Sequence, residues 1–174
     1  MQAWIGNVIG SSIGLFAILV GALWNAHLTR KRDRQIRLEE AVSLRSALAA
    51  ELSSALELTA GRFSQVIQTR GSLSPQMLQA LKPPTLVMWP KLCDKLGWLE
   101  GVQARGVVMS FSLLEFHMAI LAATVDEVAA GDRDHIKHKE RCQLFARDIP
   151  GIRNAIESLG GVPPQGLLFP DFGF

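Results

Sequence analysis

The sequence has no tyrosine and only two cysteines, Cys93 and Cys142, among its 174 residues. Two cysteines cannot build a disulfide framework. No segment recurs at the period of roughly 20–50 residues that marks solenoids and propellers. No alternating apolar–polar run is long enough for barrel strands. Charge is also scarce. Charged residues make up 20% of the chain and hydrophobic residues 48%, with a mean hydropathy of +0.20. That balance excludes disorder, which needs low hydrophobicity and high charge. The nucleophile-elbow pattern G-x-S-x-G and the P-loop pattern are both absent. Carboxylates pair at Glu39-Glu40 and Asp126-Glu127. Adjacent residues on a helix diverge, so neither pair converges on one substrate, and no catalytic residue is expected. The composition predicts an all-α, non-enzymatic protein without a cofactor.

One absence is local. Residues 1–29 contain no Asp, Glu, Lys or Arg. Residues 30–37 then hold Arg30, Lys31, Arg32, Arg34 and Arg37 against Asp33, a local charge of +4 in a chain whose net charge is +2. The remainder is therefore slightly acidic, and nucleic acid is not an expected partner. The stretch from Ala3 to Leu28 is long enough to span a bilayer core as a helix. Its interior polar residues, Asn7, Ser11 and Ser12, lie near its start, and Trp4 and Trp24 stand near its two expected interfaces. A cleaved signal peptide would need basic residues before the apolar run, whereas here they follow it. Basic residues stay in the cytoplasm, so the N-terminus is expected outside an inner membrane and residues 30–174 inside. A reducing compartment suits two unpaired cysteines. The basic collar would contact anionic lipid headgroups. Gly6, Gly10 and Gly14 recur every four residues, and Ala17 and Gly21 extend the small face. Small residues at this spacing let membrane helices approach closely, which predicts self-association or a partner helix.

Beyond the collar no proline interrupts the chain until Pro75. Leu38, Ala41, Leu44, Leu48, Leu52, Ala55, Thr59, Phe63 and Val66 step by three or four, an apolar stripe on a long helix or a coiled-coil seam. Its membrane-proximal part is expected exposed or paired, and its distal part packed. Prolines then punctuate residues 71–101, where Pro75–Leu81 and Pro90–Trp98 read as short helices in an ordered crossover anchored by Trp89 and Trp98. Residues 101–130 form a helix in which Gly106 to Val125 carries one formal charge, Glu115. A second membrane span there would bury that charge at a cost of about 2.5–3.5 kcal/mol. Ser110, His117 and Thr124 recur every seven residues as a polar stripe, while Glu115 and Ser112 lie on another side. A packed helix of a soluble domain is the simpler expectation. Asp132 is the expected N-cap of the next helix, whose apolar face would use Ile136, Leu144 and Phe145 and which Pro150 would interrupt before a short helix to Leu159. The tail holds Leu167, Leu168, Phe169, Phe172 and Phe174, which fold back or dock on a partner. The expected organisation is an anchor at 1–29, a basic amphipathic long helix at 30–70, a helical bundle with a Pro-rich crossover at 71–159, and an apolar tail at 160–174.

Asp134, His135, His138 and Cys142 are the one metal-like cluster, with Cys93 as a possible fourth ligand. Spacing places Asp134, His138 and Cys142 one turn apart on a helix, and these are ligand types zinc accepts. A solvated helix face with ordinary ion pairs is the competing reading.

The run Trp24-Asn25-Ala26-His27-Leu28-Thr29-Arg30-Lys31-Arg32-Asp33-Arg34, followed by Leu38-Glu39-Glu40-Ala41, resembles the collar of a loose group of small bacterial inner-membrane proteins of unassigned function. The segment from Trp89 to Leu99, with Lys95-Leu96-Gly97, is similar to a second feature of that group. The resemblance covers about a quarter of the chain. It implies a bacterial origin, an N-terminal anchor and a helical cytoplasmic domain, and it brings no catalytic residue with it.

Three functions follow as expectations. The first is a bitopic inner-membrane protein whose helical bundle binds itself or another membrane or cytoplasmic protein. The second is a two-span pore-forming or lysis-type protein with Gly106 to Val125 crossing the bilayer. The third is a metal sensor using His135, His138 and Cys142.

Overall fold

The computed structural model describes residues 2–68 and 74–167, with side chains in the first helix described at residue 14 and from residue 16 onward. The described chain is helical, and no strand occurs among the described residues. Helix α1 is Gln2–Gln68, α2 Pro75–Leu81, α3 Trp89–Leu92, α4 Gly101–Ala129 and α5 His135–Ser158, with a 3₁₀ helix at Cys93–Trp98 between α3 and α4. Two compact units divide the chain, Met1–Val42 and Ser43–Phe174.

The first unit is α1 up to Val42. Its described side chains are exposed apart from the half-buried Ala41. Two local bonds run along it, Thr29 Oγ1 donating to Asn25 O at 2.9 Å and Gln35 Nε2 donating to Glu39 Oε1 at 3.3 Å.

The second unit has one hydrophobic core. From α1 it takes Leu44, Leu48, Leu52, Leu56 and Phe63; from α4, Val107, Phe111, Leu114, Leu121 and Val125; from α5, Phe145, Ile149, Ile152 and Ile156. The apolar stripe read from the sequence is thus buried from Leu44 onward, while Leu38 is exposed. Aromatic contacts join the elements: Phe63 and Phe145 lie 5.3 Å apart, and Trp89 stacks on Phe111 at 4.3 Å. Trp98, expected as a second anchor, is exposed, with the Lys95 ammonium over its ring at 5.4 Å. The 3₁₀ geometry after Leu92 accompanies this exposure.

Helices α4 and α5 form an antiparallel pair, since Gln103 Nε2 donates to Ser158 O at one end and Arg141 Nη1 to Thr124 Oγ1 near the other. Both end in the same way. Gly131 and Gly160 adopt left-handed φ values of 90° and 81°. The next residue then donates back over the last turn, Asp132 N to Glu127 O and Gly161 N to Ile156 O, both at 2.9 Å.

Three sequence expectations need correction here. The N-cap of α5 is Asp134, whose carboxylate accepts from Ile136 N and Lys137 N; Asp132 instead accepts from Asp134 N. Pro150 does not divide the helix, because α5 continues through it to Ser158. Ile136 faces solvent, and the buried face of α5 is His138, Cys142, Phe145, Ile149, Ile152 and Ile156. The prolyl ring is exposed, so one missing N–H on the outer face leaves the inner packing row intact.

Candidate functional site

Two regions hold the residues singled out by sequence: the exposed first unit and a polar seam between α4 and α5.

In the first unit, Phe16, Ile18, Leu19, Val20, Leu23, Trp24 and Leu28 are all exposed, Phe16 and Trp24 at 69% and 67%. At 100° per residue these positions occupy most of the helix circumference. A helix apolar all round is not an amphipathic surface helix. Gly14 and Gly21 have no other atom within 4 Å of where a Cβ would stand, and Ala17 is exposed. The side chains of Trp4, Asn7, Ser11 and Ser12, and the packing at Gly6 and Gly10, lie outside the described residues. Arg30, Lys31, Arg32, Arg34 and Arg37 are exposed in the two turns that follow. The tail residues Leu168, Phe169, Phe172 and Phe174 also lie outside the described residues.

The seam follows from the seven-residue stripe on α4. Ser110, His117 and Thr124 are buried, while Glu115 and Ser112 are exposed, as the spacing predicts. His117 is fully buried and its Nε2 lies 2.9 Å from Asp148 Oδ2. Burial pushes its pKa below the ordinary value of 6.5, against the opposing pull of the Asp148 hydrogen bond and charge. The ring is therefore neutral at pH 7, with Nε2–H donating to Asp148, and Nδ1 is buried without a hydrogen-bond partner. Phe116 and Phe145 line the ring at 5.2 and 4.9 Å. Two turns on, Arg141 forms a two-pronged bond to Glu127, Nη1–Oε2 at 2.7 Å and Nη2–Oε1 at 3.1 Å, while Nη1 also donates to Thr124. Lys137 Nζ sits 2.9 Å from Glu127 Oε2 and 3.5 Å from Asp132 Oδ2. The hydrogen bonds from Arg141 and Lys137 hold the Glu127 carboxyl down to about 2.

No protein family, curated protein or solved structure matches this chain.

The structure places the candidate metal ligands as follows. His138 and Cys142 share the buried face of α5, but His135 is exposed and Asp134 is spent on capping. Cys93 is exposed on the crossover, and its thiol donates to Pro90 O at 3.5 Å. Burial pushes the Cys142 thiol up to about 12. The residues that do converge are Glu127, Asp132 and His138, whose ligand atoms lie within 4.8 Å of one another. Both Glu127 oxygens are already bound by Arg141 and Lys137, so a metal would have to displace a cation.

A further contact was not foreseen. Glu51 on α1 accepts from three successive backbone N–H groups, Val87 at 2.6 Å, Met88 at 2.7 Å and Trp89 at 2.6 Å. These are free donors at the start of α3. The carboxylate caps that turn from 36 residues away and sets Trp89 against Phe111.

Proposed function

We propose that this chain is a bitopic inner-membrane protein that acts as a non-enzymatic interaction module. Residues 3–28 cross the bilayer with the N-terminus outside. The collar Arg30, Lys31, Arg32, Arg34 and Arg37 lies on anionic headgroups, each worth about 1 kcal/mol near the surface. The helical unit from Ser43 onward is the cytoplasmic working part. The observation that carries this reading is the exposure, on most sides of α1, of seven large apolar residues directly before five exposed basic ones. In water that surface is costly; in lipid it is satisfied.

A second reading has one observation in its favour. Helix α4, Gly101–Ala129, is long and apolar enough to cross a membrane by length and composition. The two-span, pore-forming arrangement would use it. Against this, the buried face of α4 is tied to charged α5 through His117–Asp148 and Thr124–Arg141.

Thiol labelling of the full chain separates the readings. Cys93 is exposed and Cys142 buried, so a membrane-impermeant maleimide reports on residue 93 alone. Ile136→Cys in a Cys93→Ser background reports beyond α4, because Ile136 is exposed. The one-span reading expects both thiols to be protected in intact cells and labelled after permeabilisation, with the chain resisting alkaline extraction. Labelling of residue 136 alone in intact cells would establish two spans, and release by alkali would end the anchor reading.

A further inference from the structure

Helix α4 is apolar on two sides, and only one is used. Its inner side fills the core, yet only 33% of its most apolar stretch is buried. On the outer side Val102, Met109 and Phe116 are exposed at 88%, 62% and 52% and repeat every seven residues. Between them and beyond stand Ser112, Ala119 and Ala123, all exposed and small. Arg105 lies toward one end of this face and Asp126 toward the other; both are exposed, and neither forms an ion pair among the described residues.

We propose that two copies of this chain pair through the outer face of α4, antiparallel, about a two-fold axis near residue 114. It rests on the reading of the helical unit as an interaction module, and not on the anchor. The antiparallel direction follows from size and charge together. With the axis at residue 114, Met109 lies opposite the second copy's Ala119 and Phe116 opposite its Ser112, so the two central large side chains each meet a small one, while Val102 lies at the outer edge, level with Asp126. Arg105 lies opposite the second copy's Ala123, one turn from its Asp126, and the symmetry makes this ion pair twice. A parallel pair would set Phe116 on Phe116, Arg105 on Arg105 and Asp126 on Asp126, crowding the centre and opposing like charges. Arg105, Glu115 and Asp126 also make this side of α4 a poor one for lipid, which favours protein as its occupant.

Mild oxidation tests the pairing in the full chain, with Cys93→Ser removing the native exposed thiol. Met109→Cys with Ala119→Cys should give a cross-linked dimer, since residues 109 and 119 meet across the axis. Met109→Cys alone should stay monomeric on a denaturing gel, because its two copies lie ten residues apart along the pair, about 15 Å at 1.5 Å per residue. Ser112→Asp in the double-cysteine chain should abolish the cross-link by setting a carboxylate against the second copy's Phe116, while leaving helical content unchanged, because residue 112 is exposed. Cross-linking by Met109→Cys alone would overturn the antiparallel pairing, and no cross-link in the double variant would overturn the interface. Cross-links are read in whichever fraction holds the chain. Soluble chain that cross-links refutes the anchor and keeps the pairing; membrane-bound chain that does not cross-link does the reverse.

Discussion

Three backbone N–H groups end on one carboxylate at Glu51, and a single substitution reports what that cap is worth. Glutamine keeps one acceptor oxygen but turns an NH₂ group toward a donor. Glu51→Gln should therefore destabilise the helical unit by about 1.5–3 kcal/mol, the range for hydrogen bonds to a charged acceptor. Trp89 fluorescence should shift with it, because the cap positions the ring on Phe111. Gly161 offers a second residue-scale test. A Cβ there would stand 2.6 Å from Ala49 Cβ and 2.9 Å from Ile156 Cγ2, so Gly161→Ala should cost about 1–3 kcal/mol of unfolding free energy. Ala49→Gly in the same chain should recover part of the loss. His117 gives a pH test. Its folded pKa is lowered, so the unfolded chain binds the extra proton as pH falls through 6.5. Stability should be level above pH 6.5 and decline below it, continuing toward the lowered folded value. His117→Gln should remove that slope in urea titrations across the same range. None of these partners was visible in the sequence. Glu51 meets its donors 36 residues away, and His117 meets Asp148 from 31 away. No local pattern encodes such contacts.

At the scale of elements, α5 carries a proline in its interior. Pro150 removes one i to i−4 bond and leaves the Ala146 carbonyl without that donor. Pro150→Ala should restore it and raise the free energy of unfolding by about 1–3 kcal/mol at an exposed site. A fall in stability would instead show that the proline itself helps α5 follow the core. Elements were the most legible scale. The stretch Pro75–Leu81 is a helix with Ser74 as its N-cap and proline at the first turn, and α4 runs Gly101–Ala129 where the sequence predicted 101–130. The stripe from Leu44 to Val66 is buried as its spacing required. The failures share a cause. Asp132 and Asp134 are both competent caps, and Pro150 is a breaker by propensity alone. Tertiary packing chose between these alternatives, through the Gly131 turn in one case and the inner row Phe145, Ile149 and Ile152 in the other.

For the whole molecule, α4 is where two kinds of order compete. By length and composition it could cross a membrane, yet its inner polar stripe is matched by α5. Those matching groups, Arg141 and Asp148, are made after it. During synthesis, the ribosome releases a helix that an insertion machine would accept before its charged partner exists. If α4 is offered to a bilayer, lateral entry competes with the arrival of residues 135–158. A chain ending at Gly131 should be found integrated at α4, and on the one-span reading the complete chain should not. The Gly131 turn is short, only residues 130–134 separating the helices, so the partner follows with little delay. If the short loop helps keep α4 on α5, lengthening it with a flexible insert should raise the fraction of chain that enters the membrane twice.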